Sequence, residues 1–252
     1  MKKINMLLGS LALSLGAVSF GAAAEETVSV GATPVPHVEI LEVVKDDLKQ
    51  QGIELKIVEF NDYVQPNLSV SDNQLDLNYF QHRPYLESFV KEHGSDLVEV
   101  AGIHIEPMGL YSQSVKKIEE LKEGATIAIP NDPTNGARAL LLLQSADLIK
   151  LEDPKNITAT VLDVKENPKK LNFKELEAAQ LPRSLADVDA AVINTNYAIS
   201  AGLNPLSDSI IIENADSPYV NVLVASSKSA DKAGVKALIE ALKSEKVRNF
   251  IN

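Results

Sequence analysis

Hydrophobic and polar positions change period repeatedly along the chain, and each change marks an expected element. Thr27 to Val30 reads as a short strand entering the turn Gly31-Ala32-Thr33-Pro34. Val38, Leu41, Val44 and Leu48 recur at helical spacing, so a helix is expected from Val38 to Gln51, ending at Gly52. Ile53 to Phe60 alternates apolar and polar, as a half-buried strand does. A strand over Leu75 to Phe80, a loop over Gln81-His82-Arg83-Pro84 and a helix from Tyr85 to Glu92 follow. Leu97 to Ile105 and Met108 to Ser112 read as strands, and Val115 to Lys122 as a helix ending at Gly124.

The alternation then starts again. Ala125 to Pro130 is an expected strand, Asn131 to Gly136 a turn cluster, and Ala137 to Leu148 a helix. Ile157 to Val164 reads as a strand, and Phe173 to Leu185 as helix and turn. Val188 to Ile193 is a nearly continuous apolar strand, followed by a short helix from Asn196 to Ala201. Strands over Ser209 to Ile212 and Val220 to Ala225 precede a closing amphipathic helix from Asp231 to Phe250. Strand–helix alternation in two runs implies an α/β protein with mainly parallel sheets covered by helices. We expect two lobes: residues 25–112 together with 217–252, and residues 113–216. Ligands in such folds bind at the carboxyl ends of strands and in clefts between lobes.

The start of the chain departs from this pattern. Met1-Lys2-Lys3 is basic, Ile4 to Phe20 is apolar or small, and Gly21-Ala22-Ala23-Ala24 precedes Glu25-Glu26. This is the layout of a cleavable secretory signal over residues 1–24, with cleavage expected after Ala24. The expected location is therefore periplasmic. The 252 residues include no cysteine, which excludes disulfides and thiol catalysis. It also removes the usual lipid-bearing cysteine, so the expectation is a diffusible protein and not a lipoprotein. Net charge is −11, and loss of residues 1–24 removes two lysines and no acid. Such a chain repels phosphate backbones, so nucleic acid is not an expected partner.

Aromatics are only 5% of the chain, so their clustering is informative. Phe60, Tyr63, Tyr79, Phe80, Tyr85 and Phe89 all fall in one short region. Core packing accounts for any one of these rings. It accounts less well for His82 and two rings crowding a loop before Pro84, which suits a pocket for an apolar or thioether group. A second candidate is Pro130-Asn131-Asp132-Pro133-Thr134-Asn135-Gly136-Ala137-Arg138, between a strand and a helix. Arg138 there could hold a carboxylate bidentately, or could be a solvated arginine beside a capped turn. A third is Asn194-Thr195-Asn196-Tyr197, where a buried strand ends in amides, either of which could face a ligand or cap a helix. A fourth is Ser217-Pro218-Tyr219-Val220-Asn221 at the return between lobes. The histidines lack metal-ligand spacing, and no nucleophile elbow or phosphate loop is present, so no metal, cofactor or catalytic residue is expected.

These stretches carry a resemblance. VGATPVPHVEIL, FNDYVQPN, LDLNYFQHRPYL, IAIPNDPTNGARALLLL, VDAAVINTNYA and SPYVNVLV, in this order, resemble the methionine-binding NlpA family of periplasmic substrate-binding proteins. The resemblance spans essentially the whole chain after residue 24. It implies a two-lobed type II periplasmic binding protein fold with the ligand cleft between the lobes. It further implies a free amino acid as ligand and a membrane ABC importer, permease and ATPase, as recipient, with the binding protein a monomer. Carried over residue by residue, the thioether pocket falls on Tyr63, Phe80, His82 and Tyr85, and the carboxylate clamp on Arg138 with Asn135 nearby. The polar ends of the ligand would meet Asn196 and Asn221, with Asn194 the less favoured amide. Two other functions fit the same architecture: an enzyme acting on a small amino-acid-like substrate, and a surface interaction protein with no transport role.

Overall fold

The computed structural model describes residues 26–214 and 217–251. The expected signal, residues 1–24, lies outside the described residues. Strands β1 (Glu26–Ala32), β2 (Ile53–Glu59), β3 (Leu77–His82) and β4 (Leu97–Ile105) alternate with helices α1 (Glu39–Gln50), α2 (Gln65–Ser71) and α3 (Arg83–His93). Then follow β5 (Gly109–Tyr111), β6 (Thr126–Pro130), α4 (Pro133–Ser145), β7 (Lys150–Leu151), β8 (Val164–Glu166) and β9 (Asn172–Leu176). The order continues with α5 (Leu181–Ser184), β10 (Ala190–Ile193), α6 (Thr195–Ser200), α7 (Pro205–Asp208) and β11 (Ser209–Ile212). The chain closes with β12 (Val220–Ser226), α8 (Ala233–Leu242) and α9 (Glu245–Ile251).

The strands form two five-stranded sheets, β2-β1-β3-β12-β4 and β11-β5-β10-β6-β9. The chain leaves the first sheet after Ile105, enters the second at Gly109, leaves it at Ile212 and rejoins the first at Val220. The sheets are mixed rather than mainly parallel. β1 runs parallel to β2 and β3, whereas the returning β12 is antiparallel to both β3 and β4. In the second sheet β6 is parallel to β9 and β10, and β5 is antiparallel to β10 and β11. The strands that carry the chain between sheets arrive without a crossover helix, and that permits antiparallel pairing.

Each sheet is covered on both faces, so its central strands can be apolar throughout. β12 is buried at nearly every position, and β10 at all of them. One face of the first sheet packs on α1 through Leu41, Val44 and Leu48, three of the four positions read from sequence, together with Ile40, and on α8 through Val235, Leu238 and Leu242. α2 and α3 cover its other face with Val70, Leu86 and Phe89. α4 supplies Leu140 and Leu143 to the second core. Full burial of each such aliphatic side chain contributes about 1.5–3 kcal/mol.

Several local expectations are corrected. The loop expected over 81–84 does not exist: Gln81 and His82 complete β3, and α3 begins at Arg83. His82 caps that helix by accepting the Tyr85 N–H at 3.1 Å, while Pro84 occupies a first-turn position where no N–H is needed. The helix expected over 115–122 is only the 3-10 turn Ile118–Glu120. The strand expected over 157–164 is replaced by local side-chain bonding: Asn156 Oδ1 accepts the Thr158 N–H at 3.0 Å, and Thr160 with Asp163 forms a capping box around a 3-10 turn. Residues 173–176, expected to open a helix, belong to β9 because β6 offers them a parallel partner. The closing helix is two helices, broken at Lys243 and Ser244.

The seat of α8 on β1 has no slack at Gly234. A Cβ there would lie 2.5 Å from Val28 Cγ2 and 2.9 Å from Glu26 Oε1, which also accepts the Gly234 N–H. Gly234→Ala is expected to cost about 1–3 kcal/mol through overpacking, read as a lower urea midpoint. An unchanged midpoint would show that α8 can move off the sheet freely.

Candidate functional site

A small cavity lies where the two lobes face one another. All eight side chains named from the sequence as site candidates line it. Tyr63, Phe80, His82 and Tyr85 come from the first lobe, at the ends of β2 and β3 and the start of α3. Asn221 comes from β12. Asn135 and Arg138 lie in the first turns of α4, and Asn196 in the first turn of α6. α4 and α6 follow the parallel neighbours β6 and β10, so their starts meet at the carboxyl ends of those strands.

The apolar wall is aromatic. The Tyr63 ring lies 5.7 Å from Phe80, 5.9 Å from Tyr85 and 4.9 Å from Tyr197, centroid to centroid. These spacings are those of favourable tilted and edge contacts. The opposite part of the cavity is polar, and most of its polar atoms are already bound to protein.

The pairing begins at Asp132, the cap of α4. Its carboxylate accepts the Asn135 N–H at 2.9 Å and both bonds of the Asn135 Nδ2 group at 3.0 Å. The Asn135 amide is thereby turned so that Oδ1 faces the cleft, where it meets His82 Nε2 at 3.0 Å and accepts from Asn194 Nδ2 at 2.9 Å. With Nδ1 engaged by the Tyr85 N–H, His82 has no free ring nitrogen and offers a ligand only its faces. Burial, reinforced by the nearby Arg138 charge, lowers its pKa to about 3, so the ring is neutral. Asn135 is likewise saturated. The two residues act as a bolt between the lobes. A second bolt is the Tyr63 hydroxyl, which donates to Asn196 Oδ1 at 2.5 Å, and a third is the Tyr197 hydroxyl, which donates to the Asn61 carbonyl at 3.2 Å.

Arg138 is not a free clamp. Its Nε and Nη2 donate to the two carboxylate oxygens of Glu213, the first at 2.8 Å, and Nη2 also donates to the Glu106 carbonyl at 2.7 Å. The guanidinium lies 4.2 Å over the Tyr219 ring. Only Nη1 lacks a protein partner among the described residues. The arginine is therefore held rigidly and its charge is already matched.

One charged lining residue, Glu106, was not among the candidates read from the sequence. Glu106 follows β4, and its Oε1 meets His104 Nε2 at 2.8 Å while Oε2 has no partner among the described residues. Burial works to raise the pKa of this carboxyl, but the His37 and His104 rings and Arg138 together hold it below the usual value. Nothing in Ile105-Glu106-Pro107 marks it, because its partners come from distant stretches. Asn194, the amide less favoured from the sequence, also lines the cavity, and its Oδ1 is buried with no hydrogen-bond partner among the described residues. A buried unpaired acceptor on a cavity wall is costly unless a ligand completes it. His37, His104 and Glu106 also form the one trio of metal-ligating type among the described residues. Hydrogen bonds to Thr33, Asn221 and Tyr79 account for their ring nitrogens without a cation.

The leftover atoms define what the cavity can hold. Asn194 Oδ1 and Glu106 Oε2 are acceptors, whereas Arg138 Nη1, Asn196 Nδ2 and Asn221 Nδ2 are donors without protein partners among the described residues. Together with the aromatic wall, that set matches a small molecule with a cationic donor, an anionic acceptor and an apolar tail.

A model of the NlpA lipoprotein family matches residues 28–252. The D-methionine-binding lipoprotein MetQ of Yersinia pestis is 43% identical over 254 residues, covering 99% of this chain and 92% of the relative. A nutrient binding protein from Burkholderia cenocepacia, solved bound to methionine, is 48% identical with a TM-score of 0.86, over 89% of this chain and 95% of that one. An ABC transporter periplasmic substrate-binding protein from Coxiella burnetii is 44% identical with a TM-score of 0.84, over 88% of this chain and 94% of that one. These likenesses overturn one expectation, that the protein is not a lipoprotein: the family and the relative are named lipoproteins. Lack of cysteine bears only on attachment through a thiol and does not make a protein diffusible. The molecule has the two-lobed type II periplasmic binding protein fold with its ligand cleft between the lobes, and the chain belongs to the NlpA lipoprotein family.

Proposed function

We propose that this protein captures methionine, as the L or D form or a close analogue, and delivers it to an ABC importer. The observation that carries the reading is the division of one interlobe cavity into an aromatic wall and a polar wall with matched leftover donors and acceptors. The names of the relatives and the methionine in the Burkholderia neighbour support it independently.

In this reading the thioether lies among Tyr63, Phe80 and Tyr85 and against the His82 ring, where a polarisable sulfur gains from ring edges. The carboxylate meets Arg138 Nη1 and the Asn196 and Asn221 amide donors, and the ammonium meets Glu106 and Asn194. A buried carboxylate left unpaired would cost several kcal/mol, on the order of the effective penalty for any unpaired ion, so the fit at both ends matters. Asn135 serves the site by bolting the lobes and aiming Asn194. Capture rather than turnover is supported by the hydroxyls on the wall. Those of Tyr63, Tyr85 and Thr195 all donate to protein acceptors, and none is paired with a base.

The lobe division belongs to the same reading: a discontinuous lobe of residues 25–112 with 217–252, and an inserted lobe of 113–216. Sheet membership supports moving the first passage to 105–109 and keeping the second within 212–220. The protein acts as a monomer that a permease and ATPase complex receives.

Calorimetry on protein stripped of bound ligand is expected to show saturable heat with methionine at one site per chain. Absence of both heat and a thermal shift with either enantiomer would refute the reading. Arg138→Ala is expected to weaken methionine binding at least about tenfold, about 1.4 kcal/mol. The far-ultraviolet spectrum of the variant checks that it folds. Parent-like affinity in a folded variant would remove Arg138 from the carboxylate contact.

A further inference from the structure

Glu106 and Asn221 face the cavity, yet the groups that decide which of their atoms a ligand meets lie behind them. His37 and His104 are not among the lining residues. His37 is 1% exposed and the His104 side chain 5%. The Tyr79 hydroxyl lies 2.6 Å from His104 Nδ1 and has no other partner among the described residues, on a fully buried residue. A buried hydroxyl proton needs an acceptor. His104 Nδ1 must therefore carry the lone pair and Nε2 the proton, which is donated to Glu106 Oε1 at 2.8 Å. The same logic holds at Thr33, also fully buried, whose hydroxyl lies 2.8 Å from His37 Nδ1. The His37 Nε2–H then donates to Asn221 Oδ1 at 3.1 Å, and it also lies 3.3 Å from Glu106 Oε1.

We infer that His37 and His104 are positioning residues that set the polarity of the cavity: His104 occupies Glu106 Oε1 so that Oε2 remains for a ligand cation, and His37 occupies Asn221 Oδ1 so that Nδ2 remains as a donor. Tyr79 and Thr33 select the tautomers that make this possible. This deepens, and rests on, the assignment of Glu106 to an ammonium group. The consequence is a matter of polarity. The Arg138 guanidinium is paired with Glu213, whereas Glu106 Oε2 has no partner among the described residues, so the cavity presents a carboxylate oxygen to a ligand ammonium. Specificity for a ligand bearing an ammonium is thus built by residues that never touch it.

Two measurements test this. Nitrogen NMR of the ligand-free protein near neutral pH is expected to show both rings singly protonated at Nε2, and Tyr79→Phe is expected to shift His104 to a tautomer mixture. A doubly protonated ring, or a proton on Nδ1, would overturn the inference, since Glu106 would already have its counter-charge or lose its donor. The second compares methionine with its deaminated analogue, a thioether carboxylate without the ammonium. His104→Phe is expected to narrow the preference for methionine about tenfold. His104→Gln, which keeps a donor near Nε2, is expected to restore most of it, a rescue that a merely structural role would not produce. An unchanged preference in folded His104→Phe would overturn the inference while leaving methionine capture standing. Failure of the parent protein to bind methionine would instead sink the functional reading, and the tautomers would still decide the relay.

Discussion

The interlobe cavity is governed by one constraint: a buried polar atom must find a partner. Asp132, Asn135, His82 and Asn194 meet this demand by bonding to one another in series. Each bond turns the next amide or ring, so the orientation of the last group is determined by the first. What is left at the end of each chain is an atom whose donor or acceptor character is no longer adjustable. Those residual atoms, more than the shape of the hollow, specify the guest. Preorganisation of this kind lowers the cost of ordering the site when a ligand arrives.

Closure and recognition share residues. Tyr63 forms part of the aromatic wall and also donates across the cleft to Asn196, and Asn135 locks onto His82 while aiming Asn194. A zwitterion between the lobes would add bonds to both sides, strengthening closure by the same contacts that read its chemistry. Exclusion of water raises the strength of each of those contacts. Glu213, beyond the cavity, keeps Arg138 from being a buried unpaired charge when no ligand is present. That pairing explains how one site can tolerate both an empty and a filled state.

Much of this was legible in the residues. Alternating period identified most strands and helices, and the crowding of Tyr63, Phe80, His82 and Tyr85 in a chain poor in aromatics pointed to one wall. The start of α4 pointed to Arg138. What was hidden is what depends on distant partners. Glu106 is one acid in a plain stretch until folding brings His37, His104 and Arg138 around it. Asn194 ranked below Asn196 from the residues alone, because what sets the two apart is which amide oxygen is already taken in the folded chain. Residues 172–176 carry no strong strand signal and become β9 only because β6 needs a neighbour. Local hydroxyl and carboxylate bonding likewise outcompeted a strand at 157–164.

The most direct measurement is a crystal structure of the protein with methionine in the cleft. The account predicts the carboxylate at Arg138 Nη1 and Asn196 Nδ2, the ammonium at Glu106 Oε2, and the thioether enclosed by Tyr63, Phe80 and Tyr85. A ligand seated the other way round, with its ammonium toward Arg138, or one bound outside the cleft, would contradict it.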